Sequence, residues 1–462
     1  RGRASTLLDL IAHGHKKSTR SLSEGEQREE AAIEQTIVDL NVALRDERAR
    51  PGPEAARIAS LERTLAEARR ERSVLTRRLY DSHPELALAR GDLPLPAFDE
   101  IRKAIPRDGA VVEYVSLPRE TWLVVVTRDA APGIYLVPSE TSSLHKLAGD
   151  FARQIYGRDI RFRASAHKLY DLLIAPAAPL LRGKKIVCFI ADTALWNIPY
   201  HALLDRENHY VVEKRAVFYA PSLAFLVWQT NHRQARATLA DTRLLAFGNP
   251  AIASATVEKA HSLRRDESLG ALPEAEQEVR ALQSIYGAAH TTLRVGTAAT
   301  ETEFKTNAGH YRMLHLATHG MYDDADPMYS HLVLSRTPDD ANDGLLEARE
   351  IVNLNLDSDL AVLSACETGR GQARGGEGMI GLSWALLAAG CRTEVLAQSK
   401  VGSASARDLM VSFHRSLAPH LPLASGRSVT QALRESQLKM LHGGARAHPF
   451  YWAPFVVVGE GW

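Results

Sequence analysis

The 462-residue chain predicts an α/β fold: a parallel or mixed sheet covered by helices on both faces, with a helical hairpin ahead of it. Three observations carry that expectation. Short continuous apolar runs bounded by turn residues recur from residue 110 onward, the pattern of strands buried on both faces. Segments with helical periodicity separate those runs. The region 22–80 lacks the apolar runs; it is rich in Ala, Glu, Arg and Leu throughout.

In that first region, Ile33, Ile37, Leu40 and Leu44 recur at helical spacing, and Ile58, Leu61, Leu65 and Leu75 do so more loosely. The turn signal "RPGP" at 50–53 separates the two groups, which predicts an antiparallel hairpin. A boundary follows near 83–98. Strands are then expected at 110–116, 121–129, 133–138, 185–191 and 215–221, with helices at 141–156 and 165–181. A linker is expected at 229–242. Beyond it, strands are expected at 243–250, 312–320, 359–366, 393–399 and 454–460, and helices at 273–287, 376–390, 403–417 and 428–442. The helix at 376–390 closes on Gly390. The resulting domains are 1–95, 96–235 and 240–462.

Composition narrows the function classes. Lys and Arg number 56 against 55 Asp and Glu, a net charge of +1, which gives no overall pull toward nucleic acid or an anionic membrane. No apolar run approaches the ~20 residues of a spanning helix. The three cysteines, Cys188, Cys366 and Cys391, have no CxxC spacing, so neither a disulfide framework nor a cysteine-rich zinc site is expected. A reducing, cytoplasmic setting fits them. The chain starts at Arg1 rather than Met, the pattern of a fragment or a processed product, which leaves an upstream region open.

Two predicted strands end in reactive residues. "RMLHLAT" delivers His319 followed by Gly320, and "LAVLSA" delivers Cys366 followed by Glu367, Thr368 and Gly369. Open α/β sheets bind ligands at the carboxyl ends of their strands. A thiol becomes a strong nucleophile when an imidazole promotes its deprotonation. If the two strands are neighbours, Cys366 can attack, His319 can act as base and then acid, and the N–H groups of Gly320 and Cys366 can face a developing oxyanion. The bland reading of a cysteine at a strand end is inert core. That reading holds for Cys188 and Cys391.

"LHLATHG", "DGLLEAREIVNLNLDSDLAVLSACETGRG", "GGEGMIGLSWALLAAG" and "HPFYWAPFVVVGE" resemble the CHAT domain, a caspase-like peptidase family related to separases and often attached to TPR repeats. "ADTALWNIPYHALL", "YAPSLAFL", "FGNP" and "LPEAEQEV" extend the resemblance over residues 100–460. It implies a caspase-like three-layer sandwich, with a pseudo-peptidase half, an active half and His319–Cys366 as the dyad. It also implies a bacterial cysteine endopeptidase with a protein substrate, switched on by an activating protein or an upstream sensor region. No cofactor, metal, nucleic acid or membrane enters that chemistry.

The chain departs from the family pattern after "VLAQ". Relatives commonly carry Trp at the position of Ser399 and an acid near Gly402 or Ser403; this chain reads "QSKVGSAS". A basic residue before the cut is therefore in doubt, and a small, apolar or acidic one stays open. Pocket candidates are Gln398, Ser399, Lys400, Glu367, Glu377 and Asp323. The glycine-rich stretch 369–378 lacks the G-K-[ST] ending of a phosphate loop and predicts a mobile substrate or activation loop. "HLATHGMYDDAD" lacks the Glu of H-E-x-x-H, so His315 is read as a hydrogen-bonded core residue rather than a metal ligand. The competing reading of the whole chain is a non-catalytic scaffold.

Overall fold

The structure is a computed structural model. It describes residues 22–48, 54–83, 96–191, 193–232, 243–254, 256–257, 269–322, 327–337, 342–365, 381–399, 401–423 and 425–462. Contacts divide the chain into two compact units, Thr6–Leu93 and the region from Pro94 to Trp462.

Within the first unit, α1 (Glu24–Arg48) and α2 (Ala55–Ser82) are long helices. Ile37 and Leu44 pack with Leu65 and Ala68, and Leu22 packs with Leu75 and Leu79. Early residues of one helix thus meet late residues of the other, as an antiparallel pair requires. Arg78 bonds Glu29 across the pair.

The second unit is built on a sheet. Its earlier strands are β1 (Gly109–Ser116), β2 (Thr121–Val126), β3 (Gly133–Leu136), β4 (Ile186–Ile190) and β5 (Ala216–Tyr219). The later ones are β6 (Leu244–Pro250), β7 (Thr291–Gly296), β8 (Met313–Ala317), β9 (Gly320–Met321), β10 (His331–Val333), β11 (Leu345–Glu347), β12 (Leu360–Leu363), β13 (Thr393–Ala397) and β14 (Phe455–Gly459). Among the described residues, eleven strands form one sheet in the order β3-β2-β1-β4-β5-β14-β13-β12-β8-β6-β7. The other three form a small sheet, β11-β10-β9.

At one end β2 is antiparallel to both β1 and β3, and strand direction reverses again in the middle. β1, β4, β5 and β14 run parallel. β13 is antiparallel to β14, and β13, β12, β8, β6 and β7 then run parallel to one another. The last strand of the chain is therefore the seam of the sheet, hydrogen-bonded to β5 on one side and β13 on the other.

Both faces are covered, which explains why the strands are apolar along their length. Six helices matter here: α3 (Thr141–Tyr156), α4 (Phe162–Leu173), α5 (Pro273–Tyr286), α6 (Leu382–Ala388), α7 (Ser403–Leu417) and α8 (Gly426–His442). One face carries α5, α7 and α8, whose Val279, Leu282, Leu409, Phe413, Val429 and Leu433 share a core with the strands. The opposite face meets α4, where Tyr114 Oη donates to the Leu173 carbonyl at 2.8 Å, and α6, where Ser383 bonds the fully buried Glu394. This is a mixed α/β sandwich with a large central sheet, consistent with a caspase-like fold.

On the α4 side, Phe189 stacks on Tyr200 at 4.1 Å, and Tyr114 stacks on Tyr200 at 5.5 Å. Tyr219 Oη donates to the Ile198 carbonyl at 2.7 Å and accepts from the Tyr200 N–H at 3.0 Å. These bonds pin the segment 196–202 onto the sheet. His201 in that segment is fully buried, and burial pushes its pKa down to about 3.

That shift makes stability pH-dependent. Above the unfolded value of 6.5 the imidazole is neutral in both states. Between 6.5 and about 3 the unfolded chain takes up a proton that the folded chain refuses, so stability falls as pH falls. The slope contributed by one such histidine approaches about 1.4 kcal/mol per pH unit. His414, also buried and held well below its ordinary value, acts in the same direction. Calorimetric melting temperatures are expected to drop from pH 7 to pH 4. The drop is expected to be smaller in His201→Leu; an identical pH slope in that variant would rule out the buried imidazole as a cause.

Candidate active site

β8 and β12 are adjacent and parallel, with Leu316 opposite Leu363. His319 lies three positions beyond Leu316, and Cys366 lies three positions beyond Leu363 in the sequence. Cys366 itself is outside the described residues, as are Glu367, Glu377, Lys400, Asp323 and the stretch 369–378. Described on the Cys366 side are Ser364 and the buried Ala365.

The chain leaves the main sheet at His319 and enters the small one. Thr318 Oγ1 donates to the Val333 carbonyl, and the Val333 N–H donates to the His319 carbonyl at 2.9 Å. Gly320 is opposite Leu332 in the antiparallel β9–β10 ladder. A bond from residue 333 to residue 319 makes Gly320–Leu332 a non-hydrogen-bonded pair, so the Gly320 N–H points away from β10.

The His319 ring is oriented by a backbone carbonyl: Nε2 lies 2.8 Å from Gly270 O. A carbonyl oxygen only accepts, so Nε2 carries the hydrogen and Nδ1 keeps the lone pair in the neutral ring. Gly270 is held in turn by its neighbours. The Leu272 N–H donates to Asn249 Oδ1 at 2.7 Å, and Asn249 Nδ2 donates to Glu276 Oε2 at 3.1 Å. Gly248, just before Asn249, lets α5 approach β6 closely: a Cβ there would lie 2.6 Å from Val279. "FGNP" and "LPEAEQEV" are therefore two sides of one joint.

Gln398 and Ser399 follow β13, on the other side of β12, and both are buried. Gln398 Nε2 donates to the Trp196 carbonyl at 2.8 Å. Its donor end is thereby committed to the pinned segment 196–202, and its buried Oε1 has no hydrogen-bond partner among the described residues.

The remaining cysteines are unlike a nucleophile. Cys188 and Cys391 are buried, and burial pushes both thiols well up in pKa, so they stay protonated. The buried Asp205 clusters with the exposed Glu207 and His209, but Asp205 already accepts from the Glu207 and His209 N–H groups and pairs with Lys214. It staples a loop.

Sequence reasoning missed Gly270 and Trp196, which act through backbone carbonyls and leave no side-chain signal. It also missed Glu278 and His414, for which a signal existed. Glu278 lies in the apolar stripe of α5 with Val279 and Leu282, and His414 lies in that of α7 with Met410, Phe413 and Leu417. Ionisable residues inside apolar stripes point to buried partners. His315 is their partner: fully buried, it lies 2.8 Å from Glu278 Oε1 and 3.1 Å from His414 Nε2.

Comparison with known proteins gives three findings. The CHAT domain matches residues 163–460. Tetratricopeptide repeat protein 28 of Homo sapiens is 25% identical over 364 residues, covering 69% of this chain but 14% of the human protein. The Mus musculus protein is 24% identical, covering 63% of this chain and 13% of its own length. This chain thus spans a small part of the curated relatives it matches. In fold it is similar to a chain of the Saccharomyces cerevisiae separase–securin complex, with a TM-score of 0.50 at 9% identity over 81% of this chain and 31% of that one. Among the described residues, no helix is long and apolar enough to cross a membrane.

Proposed function

The chain belongs to the CHAT domain family, and on that premise we propose that it is a cysteine endopeptidase acting through Cys366 and His319. The observation that carries the reading is the parallel β8–β12 pair, whose register puts equal counts of residues before His319 and before Cys366. The Gly270 carbonyl holds the His319 Nε2–H and leaves Nδ1 to take the thiol proton. The thiolate sulfur then bonds the scissile carbonyl carbon. The Gly320 and Cys366 N–H groups receive the oxyanion, and His319 returns the proton to the leaving amine as the C–N bond breaks. Water, deprotonated by the same imidazole, hydrolyses the thioester and regenerates the thiol.

In this reading residues 240–462 form the active half and 96–235 a pseudo-peptidase half. Support for that division comes from the segment 196–202, whose Trp196 carbonyl fixes Gln398 beside the site. The substrate is a protein segment laid extended across the strand ends, with Gln398, Ser399, Lys400, Glu367, Glu377 and Asp323 around its side chains. Because the matched relatives are named for tetratricopeptide repeats, an activating partner or repeat segment is part of the proposal.

Cleavage profiling on a peptide library, with the chain alone and with candidate activators, tests the reading. Cutting that disappears in Cys366→Ala is the expected result. Cutting that persists in Cys366→Ala, or none under any activating condition, would leave the non-catalytic scaffold.

A further inference from the structure

Beneath the proposed site runs a buried polar chain that the catalytic reading does not use. His315 projects from the middle of β8 onto the face covered by α5 and α7. Its Nε2 meets Glu278 Oε1 of α5 at 2.8 Å, and its Nδ1 meets His414 Nε2 of α7 at 3.1 Å. His414 Nδ1 then meets Tyr286 Oη, back on α5, at 2.8 Å. Glu278, His315 and His414 are each at least 98% buried. A buried polar group is costly unless partnered, so a chain of four must fix its members' separations to hydrogen-bond length.

We propose that Glu278 and His315, backed by His414 and Tyr286, are positioning residues for His319: their bond fixes the strand that carries His319 against the helix whose lead-in carries the Gly270 carbonyl. The inference rests on the reading of His319 as the catalytic base. The geometry is direct. His315 lies on β8 and precedes His319, just beyond the strand, by four residues, and Gly270 precedes the start of α5 by three. The His319–Gly270 contact and the His315–Glu278 contact therefore span the same two elements, one at the sheet edge and one in the core. A slide of α5 along β8 long enough to break one would break the other.

The chain is complete: His315 Nε2–H donates to Glu278, His315 Nδ1 accepts from His414 Nε2–H, and His414 Nδ1 accepts from Tyr286. Burial holds His414 neutral and the Tyr286 phenol protonated.

The test uses the full chain labelled with 15N-histidine. His319 signals are identified by their loss in His319→Gln, and their nitrogen shifts report the tautomer. The wild type is expected to show the Nε2–H form. Glu278→Gln keeps an acceptor and is expected to retain that form. Glu278→Met, similar in size but without an acceptor, is expected to give mixed tautomers and to slow iodoacetamide alkylation of Cys366 by about tenfold or more. If Glu278→Met does not fold, His315→Phe takes its place with the same expected results. The proposal is overturned if the folded apolar variant keeps the wild-type tautomer, or if Glu278→Gln loses it as fully as Glu278→Met. Should wild-type Cys366 react no faster than in His319→Ala, the peptidase reading fails, and the tautomer measurement still decides the positioning role.

Discussion

His319→Ala is expected to lower kcat/KM for peptide cleavage by about 10²–10⁴-fold, the usual contribution of a positioned acid–base group. The imidazole is asked for two transfers, from the thiol and to the leaving amine. A second readout needs no substrate. An unassisted thiol with a pKa near 8.5 is only a few per cent thiolate at pH 7, whereas one paired with an imidazolium is largely ionised. The paired thiolate is intrinsically less nucleophilic, which offsets part of that gain. A net difference of about tenfold in alkylation of Cys366 at pH 7 is expected between wild type and His319→Ala, narrowing toward pH 9. Cys188 and Cys391, buried and protonated, are expected to be silent in the folded protein. Equal rates for Cys366 in the two proteins at pH 7 would sink the dyad.

The sequence was most informative where one physical signal dominates. The strands expected at 185–191 and 359–366 stand as β4 and, over Leu360–Leu363, β12, because a strand buried on both faces needs nothing else to be recognised. Strand adjacency is a different matter. That β12 lies beside β8, and that β14 closes the seam between β5 and β13, depends on which helices fill which gaps, and no local pattern encodes it. β7 and the three short strands β9–β11 also went unread. "TTLRVG" carries polar residues suited to the sheet edge it occupies, and strands of two or three residues have no periodicity to detect. The position of His319 just beyond β8 was legible from its glycine and its strand. The carbonyl that orients it was not, because every residue type has one.

The seam strand carries the second large effect. Gly426 opens α8 with its Cα against the end of β14; a Cβ at this position would lie 1.6 Å from the Glu460 carbonyl oxygen. Backbone cannot yield as a side-chain tip can, because this tail is fixed from three sides. The Glu460 N–H donates to the Arg392 carbonyl at 3.0 Å, Thr393 Oγ1 donates to Glu460 O at 2.7 Å, and Thr430 Oγ1 donates to Gly461 O at 2.8 Å. Trp462 closes the end, edge-on to Phe218 at 4.8 Å. Gly426→Ala must therefore displace either α8 or the tail of β14 by more than an ångström, at a cost of at least about 3 kcal/mol. The matched control is Gly402→Ala, where an added Cβ meets nothing within 4 Å and melting is expected to be unchanged. The location of the damage is also predicted. Cys391 adjoins Arg392, the residue that holds Glu460, so its thiol is expected to become alkylatable at lower denaturant than Cys188 in β4. Melting of Gly426→Ala within 2 °C of wild type, about the shift of a single kcal/mol in a large domain, would show that α8 can move freely. In that case the close approach of α8 to the tail of β14 would not be what holds the seam in place.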